Sequence, residues 1–178
     1  MKKILFFRIQ RDAVRRLEKT LPTAFSDNDN MEVWAPTLTQ LKPKGFSLVP
    51  FGVWWMFHFT NIFKSRAYKI YLLRIAGRVV HRSCVFPAFF RFPFMCSDDL
   101  QIGDIWTLEG ERRQGLSLIV LNHILNDNQN RTIWFLCEAG NSASERLARS
   151  VGMELFGVGR RTSPLGIGVF GRFVLHPI

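Results

Sequence analysis

Apolar positions along the chain fall into short runs with two different periods. Ile4 to Ile9 is an apolar run broken only by Arg8 and reads as a strand. Val14, Leu17 and Leu21 then recur at helical spacing, with Asp12 placed to cap the start, which predicts a helix from about 12 to 21. Asp27-Asn28-Asp29-Asn30 predicts a loop, and the stretch 31 to 50, with Pro36, Pro43 and Pro50, predicts irregular or only partly helical chain. A helix is expected from about Phe51 to Phe63.

From Tyr68 the pattern clears. Tyr68 to Ile75 and Arg78 to Phe86 predict two strands meeting in a tight turn at Ala76-Gly77, and Leu100 to Leu108 predicts the next strand. After Glu109-Gly110-Glu111 come a helix from about Gln114 to Leu125, a turn of Asn and Asp residues, and a strand over Thr132 to Glu138. Ser142, with Glu145 three residues on, has the pattern of a capping box and opens a helix that stops at Gly152. Met153 to Val158 and Val169 to Leu175 predict the closing strands. This order predicts one α/β (α+β) domain over 1–178, a mixed sheet with helices on both faces.

Composition narrows the class. With 178 residues, 47% hydrophobic and 21% charged, the chain is long and apolar enough to bury its own core. Seventeen Phe and five Trp are a heavy aromatic load, to be buried, set against a ligand or laid on a membrane. The net charge of +10 attracts anions, among them nucleotide-bearing small molecules, nucleic acid and acidic lipid headgroups. Nucleic acid is disfavoured, because there is no basic helix, zinc spacing or aromatic RNA-binding motif. Cys84, Cys96 and Cys137 are odd in number and lack metal spacing, so all three are expected to be reduced packing residues, with no metal.

Only four apolar residues separate Lys3 from Arg8, too few for a signal peptide, which leads us to expect a cytoplasmic location. Gly45 to Phe63 is free of charge and nearly long enough to span a bilayer. Pro50, Gly52, His58, Thr60 and Asn61 oppose a span, so a core or substrate-covering helix is expected first and contact of 45–63 with a membrane surface second, peripheral to the inner membrane.

The most informative hexapeptide is Arg112-Arg113-Gln114-Gly115-Leu116-Ser117, between a strand and an apolar helix. Glycine there lets a ligand approach the backbone, and the unpaired amides and positive dipole end of the new helix suit a pyrophosphate. The segment resembles the signature of the GNAT superfamily of acyl-CoA-dependent N-acyltransferases: Arg112 and Gly115 match, and Ser117 stands where Gly or Ala is usual. Asn141, a capped helix and Gly152-Met153 resemble a second family element, in the right order. The likeness runs in detail from about Tyr68 to Arg161, with the first strand and helix agreeing more loosely.

The resemblance implies a mostly antiparallel sheet of about seven strands in which one pair splays apart, with 31–66 an acceptor-side insertion. It also implies acetyl-CoA or a close relative as co-substrate. Ile105, Trp106 and Thr107 would offer backbone groups to the pantetheine arm. Arg112, Arg113, Gln114, Gly115, Leu116, Ser117 and Leu118 would hold the pyrophosphate, and Asn141 and Ser144 would contact the pantetheine or adenylate. Where many relatives carry a Tyr acid, this chain has Ala148, and where some carry a Glu base it has Gln101. Asp99, two residues away on the same strand face, and His81 on the preceding strand are the remaining candidates for a base. His58 could also reach an acceptor, although a hydrogen-bonded core place is the commoner fate of such a histidine.

The run Arg91-Phe92-Pro93-Phe94-Met95, followed by Asp98 to Thr107, is similar to GNAT proteins of bacterial surface-polysaccharide clusters. That likeness implies a nucleotide-linked amino sugar as the small-molecule acceptor, with Arg74, Arg78, Arg82 and Arg91 as diphosphate partners. Protein or peptide N-acetylation and noncatalytic acyl-CoA binding are the alternatives, and a homodimer stays open.

Overall fold

A computed structural model describes residues 2–10, 29–48, 51–162 and 171–178. The helix expected at 12–21 lies outside them, as does Val169 of the last expected strand.

Eight strands among these residues form one sheet in the order β2-β3-β4-β5-β6-β1-β7-β8. They are β1 (Lys3–Ile9), β2 (Asp29–Trp34), β3 (Lys69–Ile75), β4 (Arg78–Pro87), β5 (Leu100–Thr107), β6 (Ile133–Glu138), β7 (Glu154–Thr162) and β8 (Arg172–Pro177). Every adjacent pair is antiparallel except β5 and β6, which run parallel. Three helices are described: α1 (Phe51–Phe59), α2 (Leu116–Asp127) and α3 (Ser142–Ser150). The mixed, mostly antiparallel sheet expected from the chain is thus observed, with one strand more than expected.

The added strand is β2, in a stretch read as loop and irregular chain. Tertiary pairing overrides the weak local signal: Asp29 to Trp34 runs against Arg74's strand in unbroken register, from Asp29 opposite Ile75 to Trp34 opposite Ile70. Its side chains alternate, Met31 packing on one core and Trp34 on the other, while Glu32 accepts from Arg74 Nε at 2.8 Å. The β3–β4 turn is as expected, with Ala76 and Gly77 both left-handed at φ 49° and 78°.

The sheet separates two cores. On one face, α2 and α3 pack over Phe7, Tyr71, Val85, Ile102 and Phe135. On the other, α1 packs over Phe6, Tyr68, Phe86, Phe89 and Trp134, where most of the aromatic load is buried edge to face. Strand alternation accounts for the division, since neighbours such as Phe6 and Phe7, or Ile70 and Tyr71, go to opposite cores.

Helix boundaries differ from expectation for local reasons. Helix α1 stops at Phe59, and Asn61, left-handed at φ 59°, turns the chain before Phe63. Helix α2 starts at Leu116 because Gly115 is itself left-handed. Helix α3 is capped one residue earlier than read: Asn141 Oδ1 accepts from the Ser144 amide, and Glu145 Oε1 accepts from Gly140 N–H rather than closing a box with Ser142. Cys84 and Cys137 are buried and free as expected, but Cys96 is exposed in the loop before β5 and is not a packing residue. No helix among the described residues is long and apolar enough to cross a membrane.

The pairing of β7 with β8 depends on a missing side chain. A Cβ at Gly159 would collide with the Val174 carbonyl oxygen and lie 2.9 Å from the Phe6 ring. Gly159→Ala is therefore expected to cost about 1–3 kcal/mol by overpacking, read as a lowered urea midpoint; an unchanged midpoint would mean that β8 is not seated on β7 in this register.

Candidate active site

The site begins where two strands part. Strand β5 pairs with β6 only from Leu100 opposite Ile133 to Ile102 opposite Phe135, yet it continues to Thr107 along β4. The departure coincides with a bulge: the β4–β5 register slips between Arg82 and Cys84, and Asp104 is left-handed at φ 49°. Beyond Ile102 the edge of β5 that faces β6 has no ladder partner there, so its backbone groups line a wedge.

On the α2 side, the wedge opens into a groove of about 460 Å³ lined by Ile105, Thr107, Arg112, Arg113, Gly115, Ser117, Ser144 and Leu147, among others. Arg113 and Gly115 are both left-handed, at φ 68° and 78°, which turns the loop tightly into α2. No side chain caps α2 and no acid stands in its first turn, so its amides and dipole end face the groove uncapped, with Glu111 the one acid in the lining. A Cβ at Gly115 would meet nothing within 4 Å, which leaves the backbone open to a ligand. Arg112 donates to the Thr107 carbonyl at 3.4 Å and is exposed, as Arg113 is, while Gln114 donates to Glu111 at 2.9 Å. The pyrophosphate candidates are thus together, apart from Gln114, which does not line the groove. Of the second element, Ser144 lines it, whereas the Asn141 side chain is spent on the α3 cap. Trp106 alternates away from the groove and is partly exposed.

On the α1 face of β5 lies a pocket of about 180 Å³ lined by Trp54, Phe86, Phe89, Arg91, Phe92, Gln101, Gly103 and Asp104. Helix α1 supplies Trp54, whose ring meets Phe86 edge on at 4.9 Å. Asp104 supplies the carboxylate: Arg82 Nη2 donates to one oxygen at 2.8 Å and Cys84 Sγ to the other at 3.6 Å. Phe46 and Phe51 flank the Arg82 guanidinium at 5.6 Å each. Burial, with the Asp104 charge second, pushes the Cys84 thiol well up, so it stays protonated. Burial likewise raises the Tyr68 phenol, with Cys84 and Asp104 adding to it, and the Tyr68 hydroxyl is buried without a hydrogen-bond partner.

Of Gln101, Asp99 and His81, only Gln101 lines this pocket, and its amide donates to the Ile102 carbonyl at 2.7 Å. Asp99 is buried at the head of β5, where one carboxylate oxygen accepts from both the Cys96 amide at 3.1 Å and Trp134 Nε1 at 2.9 Å. His81 lies on the α2 side, fully buried, with Nδ1 2.8 Å from Thr107 Oγ1 and Nε2 2.8 Å from Ser83 Oγ. Thr107 Oγ1 is in turn 3.2 Å from Ser117 Oγ, so a chain of polar groups ties the core of β4 to the first turn of α2. His58 is buried in the core as expected, and its Nδ1 has no hydrogen-bond partner. Among the arginines, Arg74 pairs with Glu32, Arg82 with Asp104, Arg78 is exposed in the hairpin, and Arg91 lines the pocket.

Sequence reading missed Asp104, Trp54, Phe89 and Tyr68 as site residues. Asp104 was visible only as one polar residue in a strand, since its backbone conformation follows from the bulge. No cluster of three or more His, Cys, Asp or Glu able to hold a metal occurs among the described residues.

No protein-family profile and no curated protein sequence matches the chain. Solved structures do. A tandem GNAT protein from the clavulanic acid biosynthesis pathway superposes with a TM-score of 0.56 at 13% identity, over 87% of this chain and 50% of that one. A GCN5-related N-acetyltransferase from Sphaerobacter thermophilus gives 0.54 at 15% identity, over 88% of this chain and 49% of that one. A conserved protein of unknown function from Staphylococcus epidermidis gives 0.53 at 10% identity, over 88% and 59%. The fold is that of the GNAT N-acetyltransferases, and the chain spans about half the length of the solved structures it matches.

Burial, with the Arg82 charge second, lowers the His81 pKa from 6.5 to about 4. The folded state then binds fewer protons than the unfolded state between these values, so stability held above pH 6.5 is lost as pH falls towards 4. The loss is on the order of 3 kcal/mol. Urea midpoints of the wild type and His81→Gln across this range are expected to converge on the acid side; parallel profiles would mean that His81 is not held neutral by the fold.

Proposed function

We propose that the chain is an acyl-CoA-dependent N-acyltransferase that moves an acetyl or short acyl group to a primary amine. One observation carries the reading: the strand that parts from β6 has an uncapped helix start on one face and a carboxylate-bearing aromatic pocket on the other. The groove fits the diphosphate of CoA, because backbone donors around Gly115 and the flanking Arg112 and Arg113 supply positive potential that outweighs the single carboxylate, Glu111, in its lining. The wedge admits the pantetheine arm, and β5 amides near Ile105 to Thr107 face it.

In the reaction, the amine nitrogen bonds to the thioester carbonyl carbon, the C–S bond breaks, and CoA leaves as the thiol after taking up a proton. Asp104 is the group that faces the amine: its carboxylate, oriented by Arg82 and Cys84, accepts the proton that the nitrogen sheds. The chain needs no covalent intermediate for this, since holding both reactants at the fork supplies the rate advantage. For the acceptor we favour an amino sugar still linked to a nucleotide. A pyranose stacks on walls such as Trp54, Phe86, Phe89 and Phe92, and Arg91 offers charge to a diphosphate. This acceptor and a cytoplasmic place of work are parts of the same proposal.

A second reading, noncatalytic acyl-CoA binding, is favoured by Ala148, wholly buried where the resemblance puts a proton-donating tyrosine. Two variants separate the readings. Gly115→Val is expected to weaken CoA binding at least ten-fold by calorimetry, with its circular dichroism retained, because a branched residue is strained at φ 78° and its side chain blocks the backbone donors; unchanged affinity refutes the placement of the diphosphate. Asp104→Asn is expected to lower kcat/KM by about 100-fold on nucleotide-linked amino sugars with CoA affinity retained. Absence of thiol release from the wild type with every amine tried would instead support the sensor.

A further inference from the structure

Helix α1 is apolar on all sides, FGVWWMFHF, yet it is covered on one side only. Phe51, Phe57 and His58 are buried, and Trp54 closes the pocket, whereas Val53 and Met56 are 45% and 44% exposed, with Trp55 and Phe59 half-buried beside them. A helix with this composition is ordinarily enclosed by protein or by hydrocarbon. The adjoining loop extends the apolar face with Leu38, 75% exposed, and Leu48, 51% exposed. Trp55 anchors that loop, its indole N–H donating to the Thr37 carbonyl at 2.8 Å, and its ring lies 4.8 Å from Phe59.

Charge identifies the occupant. From Val33 to Arg66 the chain contains no Asp or Glu, while Lys42, Lys44, Lys64 and Arg66 are all present. Arg66 sits on the apolar face itself, with its guanidinium 5.6 Å from the Phe59 ring centroid. Apolar side chains flanked by basic ones, with a tryptophan at their level, match the layers of an anionic bilayer surface. A second copy docked by the same face would oppose like charges, and would leave them uncompensated. We propose that the outer face of α1, with the Leu38 and Leu48 loop, seats this protein on the surface of an anionic lipid membrane. The contact is peripheral: α1 is 9 residues long, too short to cross. Because Trp54 on the inner side of the same helix walls the pocket, membrane seating presents the pocket close to the lipid surface.

The test uses the full chain and vesicles of phosphatidylethanolamine with phosphatidylglycerol, against vesicles of phosphatidylcholine alone, followed by sedimentation. We expect partition onto the anionic vesicles, weakened by salt and absent from the neutral ones. Val53→Asp with Met56→Asp, and separately Lys44→Glu with Lys64→Glu, should each reduce partition by about ten-fold or more while circular dichroism and CoA affinity stay at wild-type values. The lysine pair reads the proposal by itself if the aspartates impair folding, since both lysines are exposed. Failure to bind anionic vesicles, equal binding to phosphatidylcholine, or undiminished binding by the folded variants would overturn it. So would a concentration-dependent dimer, abolished by the aspartates, in a protein that ignores vesicles.

Discussion

The parting of β5 from β6 is the constraint on which the rest depends. Two parallel strands that stayed paired would satisfy each other's backbone and leave no room between them. Here the ladder lasts from Leu100 to Ile102, and then the left-handed Asp104 and the slipped register against β4 bend β5 away. The bend exposes backbone donors and acceptors that would otherwise be buried in the sheet, and those groups need a polar occupant. It also sets the direction of Asp104, whose carboxylate points to the face opposite the groove and is held there by Arg82 and Cys84. A single distortion therefore opens the wedge and sets the direction of the charge on the other face.

The two faces of the sheet divide the work according to their packing. The α2 face is mostly aliphatic, and a polar thread through it, Ser83 to His81 to Thr107 to Ser117, stiffens the junction between strand and helix start. Rigidity there is useful, because backbone donors hold an anion only if they do not have to be organised at the moment of binding. The α1 face is aromatic, and its rings meet mostly edge to face around Trp54, Phe63 and Phe89. Such a wall is firm yet offers flat apolar surface to a ligand ring.

How far these features could be read from residues depends on the range of the forces behind them. The β3–β4 turn was legible because Ala76-Gly77 is a local signal, and so was the existence of α2, although its start was read at Gln114, two residues before Leu116. Strand β2 was not, since nothing in Asp29-Asn30-Met31 favours a strand until β3 offers it a partner. The same applies to the chemistry. Asp99 and His81 were chosen as candidates from their strands alone, and the fold commits both to fixed hydrogen bonds through Trp134 and Thr107, residues distant in sequence. Asp104 went unnoticed because a bulge, which is a relation between two strands, gives it its exposure and direction.

Tyr68 brings these strands of argument to one atom. Its ring stacks on Phe86 at 5.5 Å, behind the pocket wall, and its hydroxyl is buried without a partner. Burial raises the phenol far above its ordinary range, so the proton stays on the oxygen and the group can only donate or accept a hydrogen bond as a neutral hydroxyl. An unmet hydroxyl at such a place costs about 1–3 kcal/mol, and the nearby Asp104 carboxylate already receives Arg82 and Cys84. The fold keeps this cost beside the cluster that orients the Asp104 charge, on the α1 face of the sheet. That is the pattern of a site whose polar groups are set out in advance of a ligand, with Ala148 marking the opposite side, where no such proton is stored.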